Sequence, residues 1–306
     1  MELNDSKKRY LADISLVVFA VLQGAAFVAG KDALESITPM FLLAYRFGIA
    51  TLFFYGFLSK RIGKLSKEDV VKGTVVGTVL FSAFAAQTYG LLFTTASKQG
   101  FLLSTYVVMV PFLYWLVHKK RPRLKAFVGS VITIVAIYII SMQGSLSLEL
   151  GDALTLLGAF LFGVHILSIE HFTKNMNVFK LAFVQILVAL VWSLLTAFIT
   201  EPIPAMMTGR VWYSLLFLGV FSTFVCFTIQ TVAQKYTSSS HASIIMSMES
   251  VFAAILGVVL LGETMTSNII IGCALIFIAV LVIELDIKPL GRKHSRETEI
   301  EETICP

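Results

Sequence analysis

One carboxylate interrupts the most apolar part of the chain. The stretch from Ser238 to Glu263 is mostly apolar after its polar start. As a helix it is long enough to cross the hydrocarbon core of a bilayer, about 30 Å thick. Glu249 lies near its middle. Because a charged side chain at that depth costs about 2.5–3.5 kcal/mol on insertion scales, we expect Glu249 to face a bundle interior, a partner group or a water-filled cavity.

Arg46 is the only cation deep inside an apolar run of the sequence. Its planar guanidinium can hold a substrate carboxylate through paired N–H donors. At about 1.5 Å per helical residue, Arg46 lies about 10 Å from one end of its run, and Gln23 and Gln87 fall at a similar level. These three polar side chains are therefore predicted to form a layer near one face of the membrane.

Glu249, His165 and Gln185 form a second predicted polar layer, about 20 Å from the same face. A carboxyl group at this depth can exchange a proton as a cavity opens to each side in turn, and His165 is the natural candidate to receive it. Both residues are therefore predicted to couple transport to protons. Structural interpretations stay open: Arg46 bonded to helix-end carbonyls, Glu249 as a neutral group that bonds a neighbouring helix, and His165 as a packing histidine.

Tyrosines near these layers can line a cavity between them. The predicted substrate-binding residues are Arg46, Gln23, Gln87, Gln185, Tyr45 and Tyr89, and Tyr106 lies near the same level. No residue is predicted to be catalytic. The three cysteines have no Cys/His spacing typical of a zinc site, so neither a metal nor a cofactor is predicted.

Long apolar helices must position these side chains. Hydrophobic residues make up 57% of the 306 and charged residues 14%, whereas a soluble domain has about 45–50% and 25%. The mean hydropathy is +0.85. Ten membrane spans are predicted: Leu11–Gly30, Pro39–Ser59, Val70–Phe93, Gly100–Val117, Ala126–Met142, Ala153–Ile169, Val178–Ile199, Val211–Ala233, Ala242–Leu261 and Ile269–Leu285.

The distribution of basic residues predicts the orientation of these spans. With a cytoplasmic N-terminus, 20 of the 24 lysines and arginines fall in or beside cytoplasmic segments, three fall outside (Lys31, Lys98 and Arg210), and Arg46 lies within a span. Positive residues concentrate on the cytoplasmic side of membrane proteins, so we expect a multi-pass protein of the cytoplasmic membrane with both termini inside. The net charge of +5 is thus a membrane-orientation signal and does not indicate nucleic-acid binding.

The two halves of the chain resemble each other weakly. Shifts of 139 to 143 positions place Asp13 on Asp152, Arg46 on Gln185 and Gln87 on Gln230. Five spans in each half require the second half to insert upside down, an arrangement found in many secondary transporters. The predicted units are a cytoplasmic segment 1–9, a first repeat 10–142, a connection 143–150, a second repeat 151–286 and a disordered cytoplasmic tail 287–306.

Several stretches together resemble a known family. They are Pro39–Phe47 with its match Gln185, Thr95–Leu102 ahead of Pro111, and Met248–Glu263. Between about residues 10 and 286 the chain is similar to bacterial drug/metabolite transporters of the EamA type. The resemblance implies a ten-helix exporter of small metabolites, often amino acids or related compounds. Ser250 stands where the family commonly has proline, so a kink at that point of the ninth span is no longer expected.

The favoured function is a secondary active transporter that moves a small metabolite by alternating access, in the export direction. Its partners would be the lipid bilayer and a small-molecule substrate, as a monomer or homodimer. The sequence has no GxxxxGK[ST] phosphate-binding loop, which excludes an ATP-driven pump within this chain. A membrane-embedded enzyme, a channel-like protein and a receptor are the alternatives.

Overall fold

The computed structural model describes residues 5–119, 121–122, 124–141, 149–204 and 209–284. Within these residues the chain forms ten helical spans: α1 Asp5–Leu34, α2 Pro39–Ile62, α3 Lys67–Leu92, α4 Ala96–His118, α5 Leu124–Ser141, α6 Leu150–Thr173, α7 Val178–Thr200, α8 Gly209–Ala233, α9 Ser239–Leu261 and α10 Ser267–Glu284. Eight are long and apolar enough to cross a membrane, and α5 and α10 contain the shorter apolar helices Leu124–Ile139 and Ser267–Val282. The predicted all-α membrane fold of ten helices is confirmed.

Some predicted segments extend beyond the residues that the structure describes. Residues 143–148 of the predicted connection and the predicted tail 287–306 lie outside the described residues. At the other end, α1 begins at Asp5, within the segment 1–9 that was predicted to precede the first span.

Local sequence signals explain where several helices begin and end. Pro39 occupies the first turn of α2, where its missing N–H is not needed. Ser66 and Asp69 form a capping box at the start of α3: the Asp69 N–H donates to Ser66 Oγ (3.1 Å) and the Ser66 N–H donates to Asp69 Oδ2 (2.9 Å). Gly262 ends α9 in the left-handed conformation, which a residue without Cβ adopts without strain.

Consecutive spans run in opposite directions through the bundle. We call the side where α1 begins the near face and the side where α1 ends the far face. At the far face, Glu201 at the end of α7 accepts hydrogen bonds from the backbone N–H groups of Met40 (3.0 Å) and Phe41 (3.2 Å) at the start of α2. At the near face, Lys180 at the start of α7 pairs with Asp69 at the start of α3 (2.7 Å). Helix ends from both halves therefore meet at each face.

The two five-helix repeats pack against each other with inverted symmetry. α1 packs on α9 as α4 packs on α6, while α2 packs on α7 and α5 on α10. A pair of a basic residue and an aspartate repeats in the same way: Lys98 Nζ lies 2.9 Å from Asp152 Oδ2 at the far face, and His241 Nε2 lies 3.2 Å from Asp13 Oδ1 at the near face. Lys98 and His241 are 143 positions apart, and Asp13 and Asp152 are 139 apart. The predicted inverted repeat is thus visible in side-chain pairs as well as in helix order.

Both repeats break their fourth helix at the same place. α4 consists of Ala96–Ser104 and Tyr106–His118, and α9 of Ser239–Ser247 and Glu249–Leu261. The break residues are Thr105 (φ −61°, ψ −12°) and Met248 (φ −59°, ψ −16°), which are also 143 positions apart. The interruption at Met248 lies two residues before Ser250, which stands where the family commonly has proline.

Hydroxyl side chains around each break explain it without a proline. In α4 the Thr105 hydroxyl donates to the Leu102 carbonyl (2.7 Å), and in α9 the Ser247 hydroxyl donates to the Ile244 carbonyl (2.7 Å). Ser250 makes the same kind of bond to the Ser247 carbonyl (2.8 Å). Such back-bonding competes with the helical ladder and bends helices. Ser250 therefore gives the Ser247 carbonyl a hydrogen-bond donor next to the break.

Candidate functional site

An internal cavity lies where the two repeats meet. It extends from the bundle interior, near Ile166 and Phe227, to the far-face ends of α1, α2 and α3 at Leu34, Leu42 and Leu91. The volume open to the centres of water molecules is about 40 Å³, which is enough for a small number of waters. Its polar lining residues are Gln23, Arg46, Gln87, Thr88, Tyr106, Gln230 and Glu249, and the phenylalanine rings around them are Phe19, Phe27, Phe84, Phe162 and Phe227. Four predicted site residues thus come together: Gln23, Arg46, Gln87 and Glu249.

Arg46 is held in this cavity by uncharged groups. Its Nε donates to Thr223 Oγ1 (2.6 Å) and its Nη2 donates to Ser222 Oγ (2.7 Å), while the guanidinium carbon lies 4.2 Å from the centre of the Phe84 ring. The side chain is 5% exposed. No carboxylate pairs with it among the described residues. A buried cation without an anionic partner can bind a negatively charged ligand group.

A π-helical segment of α8 creates the contact with Arg46. Residues Phe217–Val225 wind as a π-helix, and the Thr223 hydroxyl donates to the Leu218 carbonyl five residues earlier (2.7 Å). The wider turn presents Ser222 and Thr223 together to the guanidinium. The Ser222 hydroxyl in turn donates to Gln23 Oε1 on α1. π-Helical turns occur frequently at functional sites, and this one links α1, α2 and α8 through polar side chains.

Glu249 lies directly after the break in α9 and contacts its own symmetry equivalent. The Tyr106 hydroxyl donates to Glu249 Oε1 at 3.2 Å, and both side chains are buried. Tyr106 follows the break in α4 as Glu249 follows that in α9, and the two residues are 143 positions apart. Equivalent residues that touch must lie close to the pseudo-twofold axis. Tyr106 was expected to lie near a cavity but was not among the predicted substrate-binding residues, although the offset between the repeats, applied to Glu249, identifies it.

Gln87 and Gln230 are a second equivalent pair in the cavity wall. Both precede a threonine, Thr88 and Thr231, and they are 143 positions apart. Gln87 Oε1 is buried and lacks a hydrogen-bond partner among the described residues. Gln230 was not in the predicted site set even though the sequence alignment of the two halves had matched it to Gln87.

His165 and Gln185 belong to a separate buried cluster. His165 Nε2 lies 2.8 Å from Gln185 Oε1, and Gln185 Nε2 donates to Thr231 Oγ1 (3.2 Å). Neither residue lines the cavity. Phe227 does line it, and its ring packs edge-on against the His165 imidazole (5.9 Å between centroids). The described contacts of His165 therefore do not include Glu249.

The two predicted tyrosines also lie away from the cavity wall. Tyr45 packs edge-on against Trp212 (5.6 Å between ring centroids) and lines an apolar groove between α2 and α7. The Tyr89 hydroxyl donates to Glu201 Oε1 at 3.1 Å, next to the start of α2. In this structure Tyr89 bonds Glu201 next to the start of α2 at the far face. Tyr45, on α2 itself, packs against Trp212.

Comparison with known proteins identifies the family. The model of the EamA-like transporter family matches residues 10–142 and 149–285. This chain belongs to that family. An uncharacterized transporter of Archaeoglobus fulgidus is 35% identical over 278 residues, covering 91% of this chain and 87% of its own length. The uncharacterized transporter YoaV of Bacillus subtilis is 22% identical, covering 86% of this chain and 93% of its own.

A solved crystal structure has the same fold. It superposes with a TM-score of 0.68 at 15% sequence identity, covering 91% of this chain and 96% of the other. At this identity the likeness extends to the fold alone. The EamA-like chain described here is therefore a multi-pass membrane transporter of small molecules by family, and its cavity lies between the two repeats from which that family is built.

Proposed function

We propose that this EamA-like protein is a secondary transporter that exports a small amino-acid-like metabolite across the cytoplasmic membrane by alternating access. The observation that carries the proposal is Arg46. Its guanidinium is buried in the cavity, held by two hydroxyl groups, and free of any carboxylate partner in the described part of the chain. Two of its five N–H donors are used by the protein, so three remain for a ligand carboxylate.

Glu249 supplies the opposite charge in the same cavity. Only Tyr106 is hydrogen-bonded to its carboxyl group among the described residues. A carboxylate there can bind the amine of a zwitterion, and it can also carry a proton between the two sides. Arginine for a carboxylate and glutamate for an amine, lining one cavity with phenylalanine rings, suit an amino-acid-like zwitterion better than a purely apolar molecule.

The contacts between the repeats support alternating access. Polar side-chain contacts join the halves at both faces, including Lys98–Asp152 at the far face and His241–Asp13 at the near face. The halves rock against each other in inverted-repeat transporters, so contacts on one face break as those on the other form. The basic residues favour the near face as cytoplasmic. In this structure the contacts are formed at both faces and the cavity extends toward the far face, so under the proposal it is a closed state whose cavity is directed outward.

Export is tested first by comparing metabolites in the medium of cells with and without the protein. Purified protein in liposomes then gives counterflow rates for the compounds found, in wild type, Arg46→Lys and Arg46→Gln. Lysine keeps the charge but loses the planar fork, so a loss of about tenfold is expected, equivalent to about 1.4 kcal/mol. Glutamine loses the charge as well, and the loss should reach about 100-fold or more.

A matched control separates recognition from folding. Arg121→Gln removes an exposed arginine at the near face and should leave counterflow unchanged. A folded, membrane-inserted Arg46→Gln variant with wild-type counterflow would show that Arg46 is structural and that the proposed site is wrong.

A further inference from the structure

Gln230 is a buried glutamine in the cavity wall. Its side chain is 2% exposed, lines the cavity, and makes no hydrogen bond with any described residue. Two other buried glutamines use their Nε2 atoms within the protein: Gln234 Nε2 donates to the Ile166 carbonyl (3.0 Å), and Gln185 Nε2 donates to Thr231 Oγ1 (3.2 Å). An amide that opens onto a cavity and is not bonded within the described structure is available to bind a ligand.

The position of Gln230 relative to Arg46 limits what that ligand can be. Gln230 lies seven residues beyond Thr223, the residue that holds the guanidinium, so about 10 Å further along α8. Arg46 and Gln230 line the same small cavity, so one molecule can reach both. This arrangement suits a small molecule with a carboxylate at one end and a second polar group a few bonds away.

Apolar side chains form much of the cavity wall on the side of Gln230. Phe227, one turn earlier on α8, lines the cavity with Ile166 of α6 and Met246 of α9. In such a cavity, a ligand that lacks a polar group to match the Gln230 amide leaves that amide unpaired. Sites of this kind reject the apolar analogue far more strongly than an apolar pocket rejects an added hydroxyl.

We propose that Gln230 is a specificity-determining residue that binds a second polar group on the substrate. The substrate class is then a small α-amino acid whose side chain carries a hydroxyl or an amide, as opposed to a hydrocarbon of the same shape. This inference deepens the proposed function and rests on it, since it takes Arg46 to hold the carboxylate.

Near-isosteric amino acids test the inference. L-Threonine and L-valine differ by hydroxyl against methyl, and L-asparagine and L-leucine by amide against isopropyl. In proteoliposome counterflow, the wild type is expected to favour threonine over valine, and asparagine over leucine, by at least tenfold. Gln230→Leu should bring both ratios close to one while still transporting valine and leucine.

Gln234→Leu is the matched control. It removes an amide four residues later on the same helix, but that amide is bonded to Ile166 and does not line the cavity. We expect Gln234→Leu to keep the wild-type ratios and to lower the unfolding temperature in detergent. Gln230→Leu should unfold no earlier than the wild type, because it removes an amide that has no hydrogen-bond partner among the described residues.

The outcomes separate the two proposals. A wild type that transports these amino acids without discriminating within the pairs, or a Gln230→Leu variant that keeps the discrimination, overturns the role of Gln230 and leaves the amino-acid function standing. A wild type that transports none of the four amino acids overturns the proposed function and this inference together.

Discussion

Replacing Glu249 by glutamine separates proton coupling from substrate binding. Glutamine has nearly the same shape and retains an oxygen that can accept the hydrogen bond from Tyr106, at 3.2 Å in the native protein. Gly24 packs closely on the backbone of α9: a Cβ added at position 24 would lie 2.9 Å from the Glu249 carbonyl oxygen. This contact is with the Glu249 backbone, which the substitution does not change. We therefore expect Glu249→Gln to fold and insert normally, with a stability change of about 1 kcal/mol or less.

The expected magnitude follows from the energy of a proton gradient. One unit of pH difference across the membrane is worth about 1.4 kcal/mol per proton, which supports at most about tenfold accumulation if one proton moves per substrate. Glutamine cannot take up that proton. Under one-to-one coupling, Glu249→Gln proteoliposomes should therefore show no accumulation, whereas exchange of substrate at equal pH on both sides should persist.

The assay needs both measurements on one preparation, together with two comparison variants. Glu68→Gln, at an exposed position on the near face, should behave as wild type. His165→Gln tests the predicted proton acceptor: its described bond goes to Gln185, so we expect accumulation to persist. Unchanged gradient-driven accumulation by a well-expressed Glu249→Gln variant would refute the coupling role of the carboxylate.

Two further predictions concern orientation and stability. With Cys305 replaced by serine, a cysteine placed at Arg210 should react with an impermeant maleimide added outside intact cells, and one placed at Lys64 should not; the reverse result would contradict the inward orientation of the near face. Lys98→Met leaves the buried Asp152 without its cation, so the free energy of unfolding should fall by about 3–5 kcal/mol, measured as a lower midpoint of thermal or denaturant unfolding.

The sequence predicted the fold well because the membrane restricts the choices. A chain that is 57% hydrophobic, with apolar runs of helical length, can satisfy its backbone in a bilayer only as helices or a closed barrel. The offset between the halves indicated a duplication, and five spans in each half then required the second repeat to be inverted. The breaks in α4 and α9 were harder to predict, because they depend on serine and threonine hydroxyls that turn back onto the helix, and nothing in hydropathy reports that choice.

The site was predicted only in part because depth along a helix does not say which way a side chain faces. Arg46 and His165 are both buried polar residues, yet one lines the cavity and the other bonds Gln185 beside it. Estimated depth also placed Arg46 and Glu249 in different layers, whereas the cavity is long enough to be lined by both. Rotation about the helix axis is set by packing between helices, which a single sequence does not state.

The inverted repeat offers a better guide to function than depth does. Equivalent positions that kept the same residue, Gln87 and Gln230, place an amide in the cavity wall from each half. Tyr106 and Glu249 are equivalents that diverged and meet near the axis. Under the proposed alternating access, a titratable group there faces each side of the membrane in turn. A transporter needs chemistry that serves both sides and an asymmetry that gives direction. Under the proposed function, the retained amides Gln87 and Gln230 supply the first, and Glu249 opposite Tyr106 supplies the second.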